Sequence, residues 1–241
     1  MKKIAILALA AIGQSAFAVT LWDQSNVVNV AGGGTGAIAG SDLSQLVLPE
    51  TLFGWGAQTT ANNVIADDFT VGAGGWNVTG LSFWTYQTGA TAPSITSVSY
   101  AIDSTLTSTA VTASTATVSF TNVYRVANGV TSDANRRLQR VDVTGLNLNL
   151  AAGTYYLKFN FAGTLASGPW AVALPSANAI YGKNAQQSIA NAAFGQAFVD
   201  GATTGGDAAF QIQGQAVPEP ATMGLLALGA AFVARRRKNS K

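Results

Sequence analysis

Residues 155–161, Tyr-Tyr-Leu-Lys-Phe-Asn-Phe, carry a large apolar side chain at every second position. Successive side chains of a β-strand point to opposite faces of its sheet, so this alternation predicts a strand with one face in an apolar core. Gly153, just before the stretch, is a turn signal. Comparable runs recur along the chain at residues 81–86, 98–102, 118–126, 141–150, 170–174 and 210–212.

These runs are rich in Val, Thr, Tyr, Phe and Trp, the residues that favour strands. Residues 81–86 are apolar in both alternating sets, which indicates a strand that is apolar on both faces. Between the two ends of the chain, in residues 19–216, which we call the body, apolar residues rarely recur with helical spacing. Only residues 189–198 allow one or two helical turns. Many short strands separated by turns predict an all-β fold, an antiparallel β-sandwich of jelly-roll type. The side chains expected in its core are Phe83, Tyr100, Phe120, Leu157 and Phe159.

The first residues have the three parts of a secretory signal peptide. Met1-Lys2-Lys3 is basic, residues 4–12 are apolar, and Ala16-Phe17-Ala18 places small side chains where signal peptidase requires them. We expect cleavage after Ala18, which makes Val19 the mature N-terminus and removes residues 1–18. The apolar stretch is too short for a retained transmembrane helix, so the rest of the chain is expected to be exported.

The last residues also form three parts. Val217-Pro218-Glu219-Pro220 is followed by the uncharged residues 221–234 and then by Arg235, Arg236, Arg237 and Lys238. The prolines keep the peptide extended and accessible. A helix over the uncharged stretch would span about 21 Å, less than the roughly 30 Å of a bilayer core, which suits a marginal, transient anchor. The basic residues are expected to hold its end on the cytoplasmic side.

This order of parts resembles the PEP-CTERM sorting signal of exosortase substrates in Gram-negative bacteria. The resemblance implies an exosortase-like membrane protease as partner, Pro218, Glu219 and Pro220 as its motif, and the four basic residues as the stop-transfer signal. The expected domains are 1–18, 19–216 and 217–239. The chain would be anchored briefly at the inner membrane with its body in the periplasm, and would then reach the cell surface or the medium. An ordinary C-terminal anchor, with no protease, is the alternative.

Three segments of the body are similar to segments that recur in PEP-CTERM proteins. These segments lie at residues 66–71, 76–81 and 209–214. Because those bodies are mostly β-sandwiches, the similarity implies a fold and not an activity. The same C-terminal signal has also been described as the C-terminal segment of ice-binding proteins. Ice binding requires flat, repeated threonine arrays, and the single run of Thr105, Thr107 and Thr109 does not supply one, so we do not expect ice binding.

Composition narrows the function classes. Seven of the 13 basic residues and one of the 11 acidic residues lie in the terminal segments, so residues 19–216 carry six basic and ten acidic residues, a net charge of −4. Such a body lacks the basic patch that nucleic acids require. The chain has no histidine and no cysteine. Ser-His-Asp catalysis, histidine-ligated metals and disulfides are therefore excluded.

Asp67 and Asp68 are the carboxylate candidates. Neighbouring strand residues point to opposite faces, so the pair is not expected to act on one substrate as acid and base. Calcium binding is the functional alternative, since Ca²⁺ prefers carboxylate and carbonyl oxygens. The structural alternative is that one of the two carboxylates bonds turn amides or lies at a strand end, while the other is on the surface. Asp200-Gly201 and Gly206-Asp207 are interpreted as turns.

Trp55, between Gly54 and Gly56, is the candidate glycan contact. On an exposed loop its indole would offer a rigid face to a sugar ring, whereas core packing is the alternative. We predict an exported protein of the cell surface or exopolysaccharide matrix, structural or glycan-associated and not an enzyme, with exopolysaccharide as a candidate partner and no required cofactor. The competing hypothesis is a carboxylate-dependent periplasmic glycan hydrolase or lyase, which would need two carboxylates about 5–10 Å apart in one cleft.

Overall fold

A computed structural model describes residues 19–32, 38–127, 134–178 and 181–218 of the chain. They form two β-sheets that enclose an apolar core, which confirms the predicted all-β sandwich. Among the described residues the only helical element is the 3-10 turn Thr59–Ala61, and none is long and apolar enough to cross a membrane. Residues 221–234, where a C-terminal helix is expected, lie outside the described ranges.

The first sheet has the strand order β1-β14-β5-β9-β8-β2, and β11 and β3 extend it beside β5. Its strands are β1 (Val19–Gln24), β2 (Asp42–Gln45), β3 (Trp55–Gly56), β5 (Trp76–Tyr86), β8 (Thr117–Val126), β9 (Arg137–Leu150), β11 (Trp170–Ala171) and β14 (Phe210–Ala216). The second sheet has the order β13-β12-β4-β10-β6-β7. Its strands are β4 (Val64–Val71), β6 (Ile95–Asp103), β7 (Thr112–Ser114), β10 (Gly153–Gly163), β12 (Gln186–Ser188) and β13 (Gly195–Gln196).

Among the strands that the structure describes, the pairing is antiparallel with one exception. The edge strand β2 runs parallel to β8, with Leu43 opposite Tyr124. The expectation of a wholly antiparallel sandwich is therefore wrong at this edge. The long connection between β2 and β8 makes the parallel pairing possible, since parallel neighbours need a crossover and not a tight hairpin. The jelly-roll type stays a prediction.

The main core lies between the sheets and is aromatic at its centre. Phe159 of β10 pairs in register with Ile65 of β4 and is 1% exposed. Its ring centroid lies 4.9 Å from that of Phe83, and Phe161 meets Phe83 edge to face at 5.9 Å. Such tilted aromatic pairs add to the hydrophobic stabilisation of a core. The alternation at residues 155–161 therefore does mark a strand with one face in the core.

A second, smaller core lies on the outer side of β5. Trp84 and Tyr86 point away from the main core and pack with Leu138, Val172 and Leu174. Phe53, before β3, and Val172 and Leu174, after β11, pack into this second core. The prediction that β5 is apolar on both faces is confirmed, because each face has its own core.

Two expectations need correction. Phe83, Leu157 and Phe159 are buried as predicted, but Tyr100 and Phe120 are only half-buried. The guanidinium carbon of Arg137 lies 4.6 Å from the centroid of the Phe120 ring, at the end of the sandwich where solvent reaches both. Residues 189–198 contain turns and β13 but no helix. Thr105, Thr107 and Thr109 lie in the loop between β6 and β7 and therefore do not line one face of a strand.

The long strands give the sandwich two ends. β5 runs from Trp76 to Tyr86, 11 residues that span about 35 Å. We call the Trp76 end the terminal pole, because β1 begins there with Val19 opposite Gly214 and β14 ends there with Ala216 opposite Trp76. The opposite end, which contains Tyr86, is the far pole.

Candidate functional site

Trp55 is part of the main core, at 3% exposure. Its Nε1 donates a 2.8 Å hydrogen bond to the backbone oxygen of Phe198. A β-carbon at Gly54 would lie 2.7 Å from the backbone oxygen of Ala171, so the glycine allows the chain before β3 to lie against β11. The Gly-Trp-Gly sequence thus serves close packing and not an exposed loop. Of the two roles considered for Trp55, core packing is the one observed. Its indole is therefore not available to a glycan.

Asp67 is also buried, with no exposed surface, on the inward side of β4. Its Oδ2 accepts hydrogen bonds of 2.7 Å from Gln24 Nε2 and 2.7 Å from the backbone N–H of Ala208, and its Oδ1 accepts one from the Asp68 N–H. Burial, together with the nearby charge of Asp207, raises the pKa of Asp67 well above its usual value. Its contacts join the two sheets, which is a structural role.

Asp68 and Asp207 both accept hydrogen bonds from the backbone of the segment that begins at Tyr181. Asp68 Oδ1 accepts a 2.7 Å hydrogen bond from the Lys183 N–H, and Asp207 Oδ2 accepts one of 2.5 Å from the Tyr181 N–H. Both carboxylates are buried, so neither the surface role for Asp68 nor the turn role for Asp207 is correct. Burial and the charge of Asp68 raise the pKa of Asp207 to about 6. Asp200, by contrast, closes a turn as expected, accepting backbone N–H groups of the next residues.

Acidic side chains are dispersed in the part of the chain that the structure describes. There, no group of three or more acidic side chains could hold an ion. The oxygens of Asp67 already accept three hydrogen bonds from N–H groups. Because N–H donors occupy the lone pairs that a Ca²⁺ ion would need, these contacts favour the structural alternative for this residue.

A pair of carboxylates does meet at one small cavity. Glu50 and Asp207 line a space of about 50 Å³, and both are almost fully buried. Glu50 Oε2 accepts a 2.9 Å hydrogen bond from the Val47 N–H, and Oε1 accepts one from the Ser176 N–H. Ligand pockets usually measure about 300–1,000 Å³, so this cavity suits water and not a sugar ring. The hydrolase or lyase hypothesis gains nothing from this pair.

The far pole carries an open cleft of about 280 Å³ that contains aromatic rings, hydroxyls and a guanidinium. Its lining consists of Thr51, Leu52, Phe53, Gly54, Tyr86, Thr88, Arg136, Ser167 and Trp170. The indole of Trp170 and the ring of Phe53 are half-buried and so keep part of their surface for a ligand. Such a mixture of ring faces and polar groups is typical of small-molecule sites.

Strand pairing and a buried cation hold this cleft in place. Trp170 of β11 lies opposite Tyr86 of β5, and Thr85 Oγ1 donates a 2.9 Å hydrogen bond to the backbone oxygen of Trp170. Beneath it, the fully buried Arg125 donates from Nε to the backbone oxygen of Phe53 at 2.9 Å. Burial lowers the pKa of Arg125 to about 10 and raises that of Tyr86 to about 12. Arg125 is therefore a cation and Tyr86 a neutral phenol near pH 7.

Arg136 completes one wall of the cleft. Its guanidinium carbon lies 3.9 Å from the centroid of the Phe53 ring, a cation–π contact that orients both side chains. The sequence did not predict this cleft. The cleft joins residues from four separate segments, and no motif or spacing links them. The only signal in the sequence was Trp170 directly after Gly168-Pro169.

A second depression, of about 610 Å³, lies on the open half of the first sheet. Here Arg140 Nε donates to Asp142 Oδ1 at 2.8 Å, and Ser82 Oγ donates to the same oxygen at 2.5 Å. Gln213 Nε2 donates to Ser82 Oγ at 3.0 Å. These polar side chains form hydrogen bonds with one another, and no aromatic side chain lines the depression. It is a poorer binding site than the far-pole cleft.

Both described ends of the body lie at the terminal pole. Val19 begins β1, and the N–H of Val217 donates a 2.9 Å hydrogen bond to the Gly75 oxygen, after which Pro218 is exposed. Ala18, Glu219, Pro220 and the basic residues 235–238 lie outside the described ranges.

Comparison with known proteins concerns this end of the chain. Residues 216–238 match the family model of the PEP-CTERM protein-sorting motif. No curated protein and no solved structure matches the chain. The match agrees with the three parts found in the sequence and with an exposed peptide directly after the last strand. The chain carries a PEP-CTERM sorting signal, which marks it as an exported protein that is sorted at the membrane by an exosortase.

Proposed function

We propose that the exported body is a glycan-binding protein of the cell surface or the exopolysaccharide matrix, and that it binds sugar in the far-pole cleft. One observation carries the proposal: the rings of Trp170 and Phe53 share a cleft of about 280 Å³ with the guanidinium of Arg136. A sugar ring has apolar C–H faces that pack on aromatic rings and hydroxyls that accept and donate hydrogen bonds.

Binding is favoured over catalysis because of where the carboxylates lie. The cleft lining contains no acidic side chain. Asp67, Asp68, Asp207 and Glu50 are all buried and engaged with backbone or side-chain N–H donors. A glycosidase needs two carboxyl groups that flank a bound sugar. The proposal therefore treats the cleft as a recognition site.

The test is glycan binding by residues 19–218, which contain every strand of the described fold. The ligands are a panel of neutral and acidic oligosaccharides, and the variants are Trp170→Ala and Arg136→Gln. We expect each variant to lose at least about tenfold in affinity, which corresponds to about 1.4 kcal/mol. Melting temperatures must be measured in parallel, since Trp170 also contacts the second core.

Arg140→Gln is the matched control, because Arg140 lies in the second depression. It should bind glycans like the parent protein. If Arg140→Gln abolishes binding and Arg136→Gln does not, the site is on the open sheet face and the cleft is excluded. If no glycan of the panel binds the parent protein, the glycan-binding proposal fails.

A further inference from the structure

Four segments that meet at the terminal pole carry no charged side chain. They are the β4–β5 turn, the β9–β10 turn and the two ends of the body, at residues 71–75, 150–154, 19–20 and 216–218. These residues are Val, Gly, Ala, Leu, Thr and Pro, without one acidic or basic side chain. Most of them are exposed, including Ala73 of the first turn and Ala151 and Ala152 of the second. The next charged group at this end is Asp103, which lies opposite Tyr156 and forms an ion pair with Lys158. The far pole, in contrast, carries Arg136 and Arg137.

Both apolar terminal segments join the body at this pole. Val19, which follows the predicted signal peptide, lies opposite Gly214. At the other end, the Val217 N–H makes the last described contact, to the Gly75 oxygen. Only residues 218–220 separate Val217 from the apolar segment of the sorting signal. Three extended residues reach about 10 Å, so the apolar segment begins within that distance of the pole.

We propose that the terminal pole is a membrane-facing surface. While the apolar segment of the sorting signal holds the chain in the bilayer, the pole rests against the lipid headgroups. The long axis of the sandwich then stands along the membrane normal, and the far-pole cleft opens about 35 Å away from the bilayer. The inference depends on the C-terminal segment acting as an anchor and is independent of glycan binding.

Electrostatics and tethering both favour this orientation. A body with a net charge of −4 is repelled by anionic headgroups, so an uncharged end approaches a membrane at the least electrostatic cost. No charged group must be dehydrated when the small side chains of the two turns meet the interface. A linker of three residues keeps the effective concentration of the pole at the membrane high without any strong affinity of its own.

The chain contains no cysteine, so single cysteines can be labelled without background. The experiment uses residues 19–241, the expected exported form, reconstituted in phosphatidylcholine vesicles that contain a lipid with a nitroxide headgroup, so that only the C-terminal segment can anchor the chain. A fluorophore is attached to Ala73→Cys or Ala152→Cys at the terminal pole, and to Ala166→Cys near the far pole as control. We expect strong quenching at the two terminal-pole sites and none at the control site.

A Gly-Ser spacer inserted between Val217 and Pro218 tests the role of the short linker. It should reduce quenching at Ala73→Cys, because the pole is no longer held within about 10 Å of the bilayer. Equal quenching at all three sites, or quenching that requires anionic phosphatidylglycerol, would overturn the proposed orientation. Vesicle flotation, measured separately, reports anchoring: a chain that fails to float overturns this inference and leaves the glycan-binding result unaffected.

Discussion

Gln24 Nε2 lies 2.7 Å from Asp67 Oδ2 in the interior of the sandwich, and neither side chain is exposed. Gln24 is the last residue of β1 in the first sheet, and Asp67 lies in β4 of the second sheet. The bond therefore links the two sheets through buried polar groups. Gln24 Nε2 also donates to the Ala208 oxygen at 2.9 Å, so one amide serves two buried acceptors.

Replacing Gln24 with Ala should destabilise the fold by about 1–3 kcal/mol, because Asp67 loses a buried hydrogen bond and the Ala208 oxygen loses its side-chain donor. The free energy of unfolding in urea measures this. Gln211→Ala is the matched control, since Gln211 makes a half-buried bond to Ser25 Oγ and should cost less than about 1 kcal/mol. Equal losses for the two variants would show that the link between the sheets contributes no special stability.

Asp207 predicts a fall in stability as the pH rises. Its folded-state pKa of about 6 lies above its usual value of 3.8, so the native protein retains a proton that the unfolded chain releases. The contribution of Asp207 to the free energy of unfolding is therefore fully present below about pH 4 and is lost as the pH rises through 6. We expect a loss of about 1–2 kcal/mol over that window, after allowance for solvent screening.

The Asp207→Asn variant isolates this effect from other carboxylates. It keeps an oxygen for the Tyr181 N–H but cannot titrate. The difference in unfolding free energy between the parent and this variant should change between pH 4 and pH 6.5 with the stated sign. A difference that is constant over this range would show that Asp207 ionises at its usual pKa.

Phe159 should be among the most sensitive positions of the fold. Replacing it with Ala should cost about 3–5 kcal/mol, because the side chain fills the centre of the main core and touches Phe83 and Phe161. Phe120→Ala should cost clearly less, since that ring is half-buried. Thermal unfolding of the two variants provides the measurement. An unchanged melting temperature for Phe159→Ala would contradict the assigned face of β10.

The mature protein should begin at Val19. This residue starts β1, and its pairing with Gly214 would be lost if signal peptidase cut much later. N-terminal sequencing of the exported form decides the point. A start at Met1, or far beyond Thr20, would contradict both the predicted cleavage site and the role of β1.

Glu219 should be required for processing but not for export. It supplies the only negative charge close to the motif, which follows directly after the folded body. In a host with an exosortase, Glu219→Ala should let the anchored full-length chain accumulate in the membrane fraction, as detected by immunoblot. Release of this variant at the rate of the parent would mean that the tail is only an anchor.

Deleting residues 235–238 is the complementary variant. It removes the basic stop-transfer residues and leaves the Pro-Glu-Pro motif intact. Retention in the membrane should weaken, with more uncut chain in the medium or periplasm. Retention equal to that of the parent would show that the basic residues do not hold the chain.

The sequence predicted the sandwich and the two buried faces of β5, because alternation with period two reports strand and face directly. It did not predict the burial of Trp55, which depends on a close approach of the chain at Gly54 to Ala171. Nor did it predict the cleft, which exists only because pairing of β11 with β5 brings Trp170 near Phe53 and Arg136. Local patterns carry no information about contacts between such distant segments.

The position of β14 has a consequence for the order of events during secretion. This strand is the last one in the part of the chain that the structure describes, yet it lies between β1 and β5 inside the first sheet. Until residues 210–216 have crossed the membrane, β14 cannot form. The edges of β1 and β5 that pair with it then remain without hydrogen-bond partners. Folding therefore cannot finish ahead of translocation. The sorting signal arrives immediately behind the strand that closes the sheet, so completion of the domain and presentation of the signal coincide.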